Sequence, residues 1–234
     1  MMLYVNGDSH TAGAEAVNPH AFAQDDPALF YLGRSPHPAN LAVSWGKMVS
    51  LSLRSGFRCD AESASSNTRI IRTTRDWLNS GGQDHPDQLI IIQWSTWERE
   101  EWLYDGIYYQ VGASGTDHVP QALQERYRNY VIGIDWQQKI LEAHNEIWKF
   151  HQELNDLGVH HIFFNGNNNF DCITDCRDWG TSYIGPYDAK MTYDAIIRSQ
   201  KIGTVAPNSW HFGKDGHSYF HRFMLQYIIA NKFI

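Results

Sequence analysis

The chain lacks a long apolar segment and has fewer basic than acidic residues. No stretch of its 234 residues approaches the roughly 20 apolar residues that span a bilayer, and no basic segment followed by an apolar one opens the chain. Lysine and arginine total 19 against 26 aspartates and glutamates, a formal net charge of -7. Because nucleic-acid backbones are bound by clustered basic side chains, we expect a soluble, cytoplasmic protein that binds neither membranes nor nucleic acids.

Cysteine is also scarce, which bears on disulfides and metals. The three cysteines, Cys59, Cys172 and Cys176, do not form an even disulfide set, and the Cys172/Cys176 pair lacks the second pair of ligands that a zinc site needs. The 12 histidines are mostly scattered through polar segments without ligand spacing. We therefore expect free thiols, no metal ion and no organic cofactor.

Apolar stretches and helical patterns alternate along the chain. Stretches typical of buried strands cover 2–6, 57–61, 89–92, 159–164 and, more weakly, 202–205. Helical patterns cover 41–53, 68–78, 121–157 with a break near Gly133, and 215–231. A chain with 42% hydrophobic residues can bury one substantial core. We predict a single α/β domain over 1–234, a three-layer doubly wound parallel sheet with helices on both faces.

Polar or small residues follow the predicted strands. In parallel sheets, sites lie beyond the carboxyl ends of the strands, so we expect residues just after the strands to converge at one edge: Ser9, Ala64, Ser95, Asn165 and His211. The long segment 12–40, rich in Pro, Gly, Ala and Asp, is predicted to be a surface loop near that edge.

Two motifs near the chain ends carry candidate chemistry. Gly7-Asp8-Ser9 follows the first strand directly, and His211 precedes the last helix, with His217 six residues later. A serine on a sharp turn with a distant histidine can form a nucleophile and its base. Asp8 is expected to fix the turn by accepting backbone N–H groups rather than to transfer protons. Alternatively, Ser9 caps a helix, and His217 is a rival base.

These motifs resemble those of the GDSL, or SGNH, hydrolases. Gly7-Asp8-Ser9 matches the first block of that family in full, and His211 to His217 matches its His-x-x-x-x-Gly-His ending. The resemblance implies a flavodoxin-like SGNH hydrolase fold and a serine esterase with Ser9 as nucleophile and His211 as base. The altered third block, ending in Trp94-Ser95, also resembles SGNH-like proteins of tailed phages and marine microbes, which would place the chain in a host cytoplasm or a virion.

The position of the family's catalytic acid is altered. The resemblance implies an aspartate three residues before His211, where this chain has Asn208. An amide can hold an imidazole but brings no charge to stabilise the imidazolium. Three alternatives follow: a Ser-His dyad, low activity, or a substitute carboxylate, with Asp215 expected to cap the last helix and other candidates in one loop, namely Asp171, Asp175, Asp178 and Asp188.

The oxyanion donors implied by the resemblance are altered too. They are the N–H of Ser9 itself, an N–H at Ala64 where the family has glycine, and Ser95 where it has asparagine. Alanine keeps the backbone N–H group, so this donor is expected to survive if the backbone at position 64 does not require a positive φ. Asn165 and Asn167, after the fourth predicted strand, are alternative amide donors.

Residues expected near the substrate are Asp8, Trp94, Trp97 and Arg99. The tryptophans form either core packing or a platform for a sugar or acyl chain, and Arg99 forms either a helix-surface ion pair or a site for an anionic group. We predict hydrolysis of a small-molecule or glycan ester, for example an O-acetyl group on a glycan, through an acyl-Ser9 intermediate. The alternative is a catalytically weakened carbohydrate-binding or structural module; a nucleotide-binding protein is disfavoured because no glycine-rich loop follows the first strand.

Overall fold

A computed structural model describes residues 1–22, 35–82, 85, 87–113 and 119–234. It contains a four-stranded parallel sheet in the order β2-β1-β3-β6 and a two-stranded antiparallel sheet of β4 and β5. The strands are Met2–Asn6 (β1), Gly56–Cys59 (β2), Gln88–Trp94 (β3), Glu100–Tyr104 (β4), Ile107–Val111 (β5) and His160–Asn165 (β6).

The two central strands of the parallel sheet are β1 and β3. β1 pairs with β2 on one side, with Val5 opposite Cys59, and with β3 on the other, with Val5 opposite Ile91. All seven residues of β3 are buried, as a continuous apolar run in a parallel sheet predicts. β3 and β6 stay paired to their ends, where Trp94 lies opposite Asn165.

Eight α-helices connect and cover the strands in the described part of the chain. They are Ser9–Ala12 (α1), Pro38–Ala42 (α2), Trp45–Leu53 (α3), Asn67–Asn79 (α4), Gln124–Ile132 (α5), Trp136–Asp156 (α6), Tyr193–Arg198 (α7) and Lys214–Ala230 (α8). None of them is long and apolar enough to span a membrane.

Apolar side chains on the two faces of the parallel sheet form separate cores. One core joins Tyr4, Ile90 and Phe163 to α4 and α6. The other joins Leu3, Ile91 and Phe164 to α3, α7 and α8. The predicted three-layer α/β architecture with helices on both faces of a parallel sheet is therefore confirmed.

Two local predictions are wrong, and two structural features were missed. The helix predicted over 41–53 is split into α2 and α3, because the Ser44 hydroxyl caps α3 by accepting the N–H of Lys47. The strand predicted over 202–205 is an isolated antiparallel bridge between Thr204 and Phe212. The β4–β5 hairpin and α7 were not predicted. Part of the predicted 12–40 loop lies outside the described residues.

A third, smaller apolar cluster lies beside the main cores. It joins the hairpin to α5 and the turn before it through Trp102, Val111, Leu123 and Tyr127. This cluster attaches the hairpin to the rest of the protein at the carboxyl end of β3.

Candidate active site

The turn after β1 brings Asp8 and Ser9 to the carboxyl edge of the sheet. Gly7 is required there by close packing, since a Cβ at this position would lie 2.6 Å from the Thr11 hydroxyl oxygen. Asp8 caps α1 by accepting the N–H of His10 at 3.0 Å. Ser9 is the first residue of α1 and is buried.

The Asp8 carboxylate is saturated by donors from the protein. Besides the His10 N–H, it accepts Gln93 Nε2 at 2.7 Å, Ser95 Oγ at 3.1 Å and Arg99 Nη1 at 3.1 Å. Burial alone would raise the pKa of Asp8, but the electrostatic interactions with His10 and the Arg99 guanidinium and these hydrogen bonds outweigh it and hold that pKa below its usual value. Asp8 is thus an ionised anchor of the turn, which corrects the expectation that it binds substrate.

Ser95 and Arg99 belong to the same network. The Ser95 hydroxyl donates its single proton to Asp8 and accepts from Arg99 Nη1 at 2.8 Å. The backbone N–H of Ser95 donates to Asn67 Oδ1 at 2.8 Å. In this arrangement the Ser95 hydroxyl has no proton left for an oxyanion, and Arg99 is held by Asp8 and Ser95 rather than presented to an anionic substrate.

The other predicted oxyanion residues differ in their surroundings. Ala64 adopts φ +64°, so this position does use the left-handed conformation that favours glycine. Asn165 Oδ1 accepts the Tyr183 hydroxyl at 2.5 Å, and among the described residues its buried Nδ2 has no partner. Asn167 is exposed. Their roles as donors stay predictions.

The tryptophans expected to contact substrate are packing residues. Trp94 is fully buried, with its ring edge-on to Phe163 at 4.9 Å between centroids. Trp97 is buried and stacks on Phe170 at 4.5 Å. Of the two alternatives for this aromatic cluster, core packing is the one that the structure supports.

His211 lies beside α1, at the same edge of the sheet. Its ring centroid is 5.4 Å from that of His10, which directly follows Ser9. Its backbone carbonyl accepts the N–H of Val205 at 2.9 Å. His211 and the turn containing Ser9 thus lie close together, although they come from opposite ends of the chain. A hydrogen bond between the Ser9 hydroxyl and His211 stays a prediction.

The Nδ1 atom of His211 contacts a carboxylate that the sequence analysis missed. Glu15 Oε2 lies 2.6 Å from this nitrogen and also accepts the Ser209 hydroxyl at 2.6 Å. The backbone N–H of His211 donates to Ser209 Oγ at 2.9 Å. Asn208 is exposed, and since Nδ1 is engaged by Glu15, the prediction that Asn208 orients this ring is wrong.

Glu15 is the only acidic residue between Ser9 and Phe22. That isolation, in a segment expected at the edge of the site, was the one sequence signal for it. Partial burial works to raise the pKa of Glu15, but the hydrogen bonds from Ser209 and His211 outweigh it and hold the pKa below its usual value. Glu15 is therefore ionised beside the imidazole.

The other histidines near this edge are buried and uncharged. Burial is the main cause that lowers the pKa of His217 to about 3, and its Nδ1 accepts the backbone N–H of Trp45 at 3.3 Å. Burial also lowers the pKa of His10 to about 4, and among the described residues its Nδ1 has no partner. His217 is tied to the core beneath α3, which argues against it as the base.

In the part of the chain that the structure describes, no group of three or more histidine, cysteine or acidic side chains is placed to hold a metal ion.

No protein-family model matches the chain, and no curated protein matches it by sequence.

Three solved structures similar to this chain are hydrolases by description. A lipolytic protein of the G-D-S-L family from Desulfitobacterium hafniense DCB-2 has a TM-score of 0.51 and 9% identity, covering 97% of this chain and 98% of its own. A psychrotrophic esterase from Pseudoalteromonas sp. has a TM-score of 0.49 and 9% identity, covering 98% and 97%. An acetyl xylan esterase from the rumen bacterium Butyrivibrio proteoclasticus has a TM-score of 0.44 and 14% identity, covering 100% of this chain and 65% of its own.

The G-D-S-L lipolytic protein is not described as a phage protein, so it adds no support to the phage resemblance. At such identities the likeness concerns the fold and not the activity. Over nearly its whole length, the chain has the α/β fold of the G-D-S-L lipolytic protein from Desulfitobacterium hafniense.

Proposed function

We propose that this protein is a serine esterase that cleaves carboxylic esters through an acyl-Ser9 intermediate. The observation that carries the proposal is the contact of His211 Nδ1 with a carboxylate, next to the helix that begins at Ser9. An imidazole whose Nδ1 donates to a carboxylate has its other nitrogen, Nε2, available as a base.

The proposed reaction has two halves. Ser9 Oγ attacks the ester carbonyl carbon while its proton passes to His211 Nε2, and the tetrahedral intermediate then collapses, the leaving alcohol taking that proton. In the second half a water molecule, deprotonated by His211, attacks the acyl-Ser9 carbonyl. The acid is released and Ser9 Oγ regains its proton.

Backbone groups are the proposed oxyanion donors. Ser9 is the first residue of α1, and the first N–H groups of a helix lack intrahelical partners. Ala64 supplies a second N–H from a turn with a left-handed backbone. In enzymes of this kind, removing a single oxyanion donor weakens transition-state stabilisation by about 3 kcal/mol.

We propose acetyl groups on a glycan as the substrate class. Trp210 directly precedes His211, and 70% of it is exposed, so its ring offers the kind of face on which a sugar stacks. Acetate release from acetylated oligosaccharides is the expected result. Hydrolysis of longer acyl esters without any acetate release would contradict this substrate.

Covalent labelling with a fluorophosphonate probe tests the nucleophile. Wild type is expected to become labelled, and Ser9→Ala to lose both labelling and at least about a thousandfold in esterase kcat. Ser52→Ala is the matched control, because Ser52 Oγ lies 2.8 Å from His221 Nε2 in an exposed Ser-His pair; this variant should label like wild type.

A second candidate function is a carbohydrate-binding module without efficient catalysis. The observation that favours it is the engagement of the Ser95 hydroxyl by Asp8, which removes one expected oxyanion donor. It predicts equal, negligible labelling of wild type and Ser9→Ala, together with measurable glycan binding.

A further inference from the structure

We propose that Glu15 takes the part of the missing aspartate, as the positioning residue that orients the His211 ring and stabilises the imidazolium formed during catalysis. The inference rests on the proposed esterase function and specifies how that site works. It relocates the acid from position 208, just before the histidine, to a turn six residues after Ser9.

Three hydrogen bonds connect Glu15, Ser209 and His211 in a closed set. Glu15 Oε2 accepts both the Ser209 hydroxyl and His211 Nδ1, each at 2.6 Å. The Ser209 oxygen in turn accepts the backbone N–H of His211 at 2.9 Å. The ring of His211 is thus held by the Glu15 carboxylate directly, and its backbone is held by the Ser209 hydroxyl that donates to the same carboxylate oxygen, so the set limits rotation of the imidazole.

The charge of Glu15 also selects the tautomer of His211. An ionised carboxylate only accepts hydrogen bonds, so the proton of the neutral imidazole must be on Nδ1. The lone pair is then on Nε2, the nitrogen that must receive the Ser9 proton. An amide, which can donate as well as accept, would not impose this choice.

The turn that carries Glu15 is built to bring it back toward α1. Gly13 and Glu15 adopt φ +73° and +62°, and the N–H of Ala14 donates to the Ser9 carbonyl at 2.9 Å. Asn40 Oδ1 accepts the N–H of Val17, the second residue after Glu15, at 3.0 Å. A left-handed backbone is rare for glutamate, and residues held in rare conformations concentrate at functional sites.

Folding stability alone does not account for the pair. The side chains of Glu15 and His211 are 35% and 23% exposed, and ion pairs this accessible to water add little to stability. A structural role therefore predicts little effect on catalysis when the charge is removed, whereas a positioning role predicts a large loss in kcat.

Substitution of Glu15 separates these outcomes. For Glu15→Gln we expect esterase kcat to fall about 100- to 10,000-fold, as for loss of the carboxylate in serine proteases, with KM within about threefold because a positioning residue acts through His211 and not through substrate binding. Glu15→Asp keeps the charge and should recover at least about tenfold over Glu15→Gln. Glu125→Gln makes the same chemical change at an exposed position of α5 and should behave like wild type.

The pH profile gives a readout that a structural role would not move. A carboxylate favours the imidazolium, so its loss should shift the acid limb of kcat/KM to lower pH. The other histidines facing His211 are His10 and His217, whose pKa values of about 4 and about 3 keep them uncharged above about pH 5. An unchanged acid limb would count against the proposal.

Two results would overturn the assignment while leaving acyl-Ser9 in place: activity of Glu15→Gln within about threefold of wild type, or a larger loss in Asn208→Ala than in Glu15→Gln. Absence of labelling at Ser9 in wild type would instead overturn the proposed function. If Glu15→Gln does not fold, nitrogen NMR of wild type decides, with His211→Gln used to assign the signals. A neutral ring protonated on Nδ1 supports the proposal, and one protonated on Nε2 contradicts it.

Discussion

At the residue scale, the charged groups next to Ser9, Asp8 and Arg99, stabilise the turn that carries Ser9. Asp8 is buried and anionic, and Arg99 is the cation that contacts it. A buried charge needs a partner because desolvation disfavours it. The turn that presents Ser9 thus depends on a residue 91 positions away in sequence.

We predict that Arg99→Met lowers the free energy of unfolding by about 2 kcal/mol or more, because it leaves the Asp8 carboxylate without its cation. The Arg99 side chain is only 25% exposed. Arg58, whose side chain is 56% exposed, also pairs with an aspartate, Asp60, and Arg58→Met should cost less than about 1 kcal/mol. Urea unfolding measures both; equal effects would mean that Arg99 does not stabilise the Asp8 turn.

The sequence could single out Ser9 and His211 as candidate site residues because each lies within a short motif. Glu15 could not be identified in the same way, because its contact with His211 joins residues 196 positions apart and follows from a turn geometry that no motif encodes. Trp94 shows a related limit: the sequence places an aromatic residue at the end of β3 but does not say whether its side chain points into the core.

At the element scale, long apolar elements were predictable and the hairpin was not. β3 and α6 have continuous apolar or strongly periodic patterns, and the polar Asp135 side chain caps α6 by accepting the N–H of Gln138. In the β4–β5 hairpin, Asp105 and Gly106 form a two-residue turn with φ +49° and +75°, as expected of an Asp-Gly hairpin turn. In the two strands that flank this turn, neighbouring aromatic and apolar residues break the alternation of polar and apolar residues by which a strand is recognised in sequence.

We predict that Gly106→Ala destabilises the protein by about 1 kcal/mol, since alanine disfavours the left-handed conformation. Open space surrounds this glycine, so no steric clash adds to the cost. Gly203→Ala is the matched control: it too has open space around it, but its backbone is outside the left-handed region. Thermal unfolding should show a loss for Gly106→Ala and no loss for Gly203→Ala; similar losses would show that the hairpin turn is not the cause.

At the scale of the whole molecule, neutral histidines are buried on both sides of the parallel sheet. Burial is the main cause that lowers the pKa of His144 and His161 to about 4, as it does for His10 and, to about 3, for His217. His144 and His161 lie on the side of the sheet covered by α6, and His10 and His217 lie near Tyr193 on the other. Both cores therefore share one source of acid sensitivity.

We predict that stability falls steadily as the pH is lowered from about 6.5, where histidine in the unfolded chain begins to bind protons, toward about pH 4. The folded protein takes up those protons only near the lowered pKa values, so the unfolded state binds more protons in this window and is favoured. Each buried histidine contributes up to about 3 kcal/mol.

Two histidine variants test this explanation. His144→Phe, at a site lined by Phe170 and Trp179, should reduce the slope of unfolding free energy against pH by about one proton. His160→Gln, at an exposed position, should leave that slope unchanged. A pH-independent free energy of unfolding between about pH 4 and 6.5 would show that these histidines are not neutral in the folded protein.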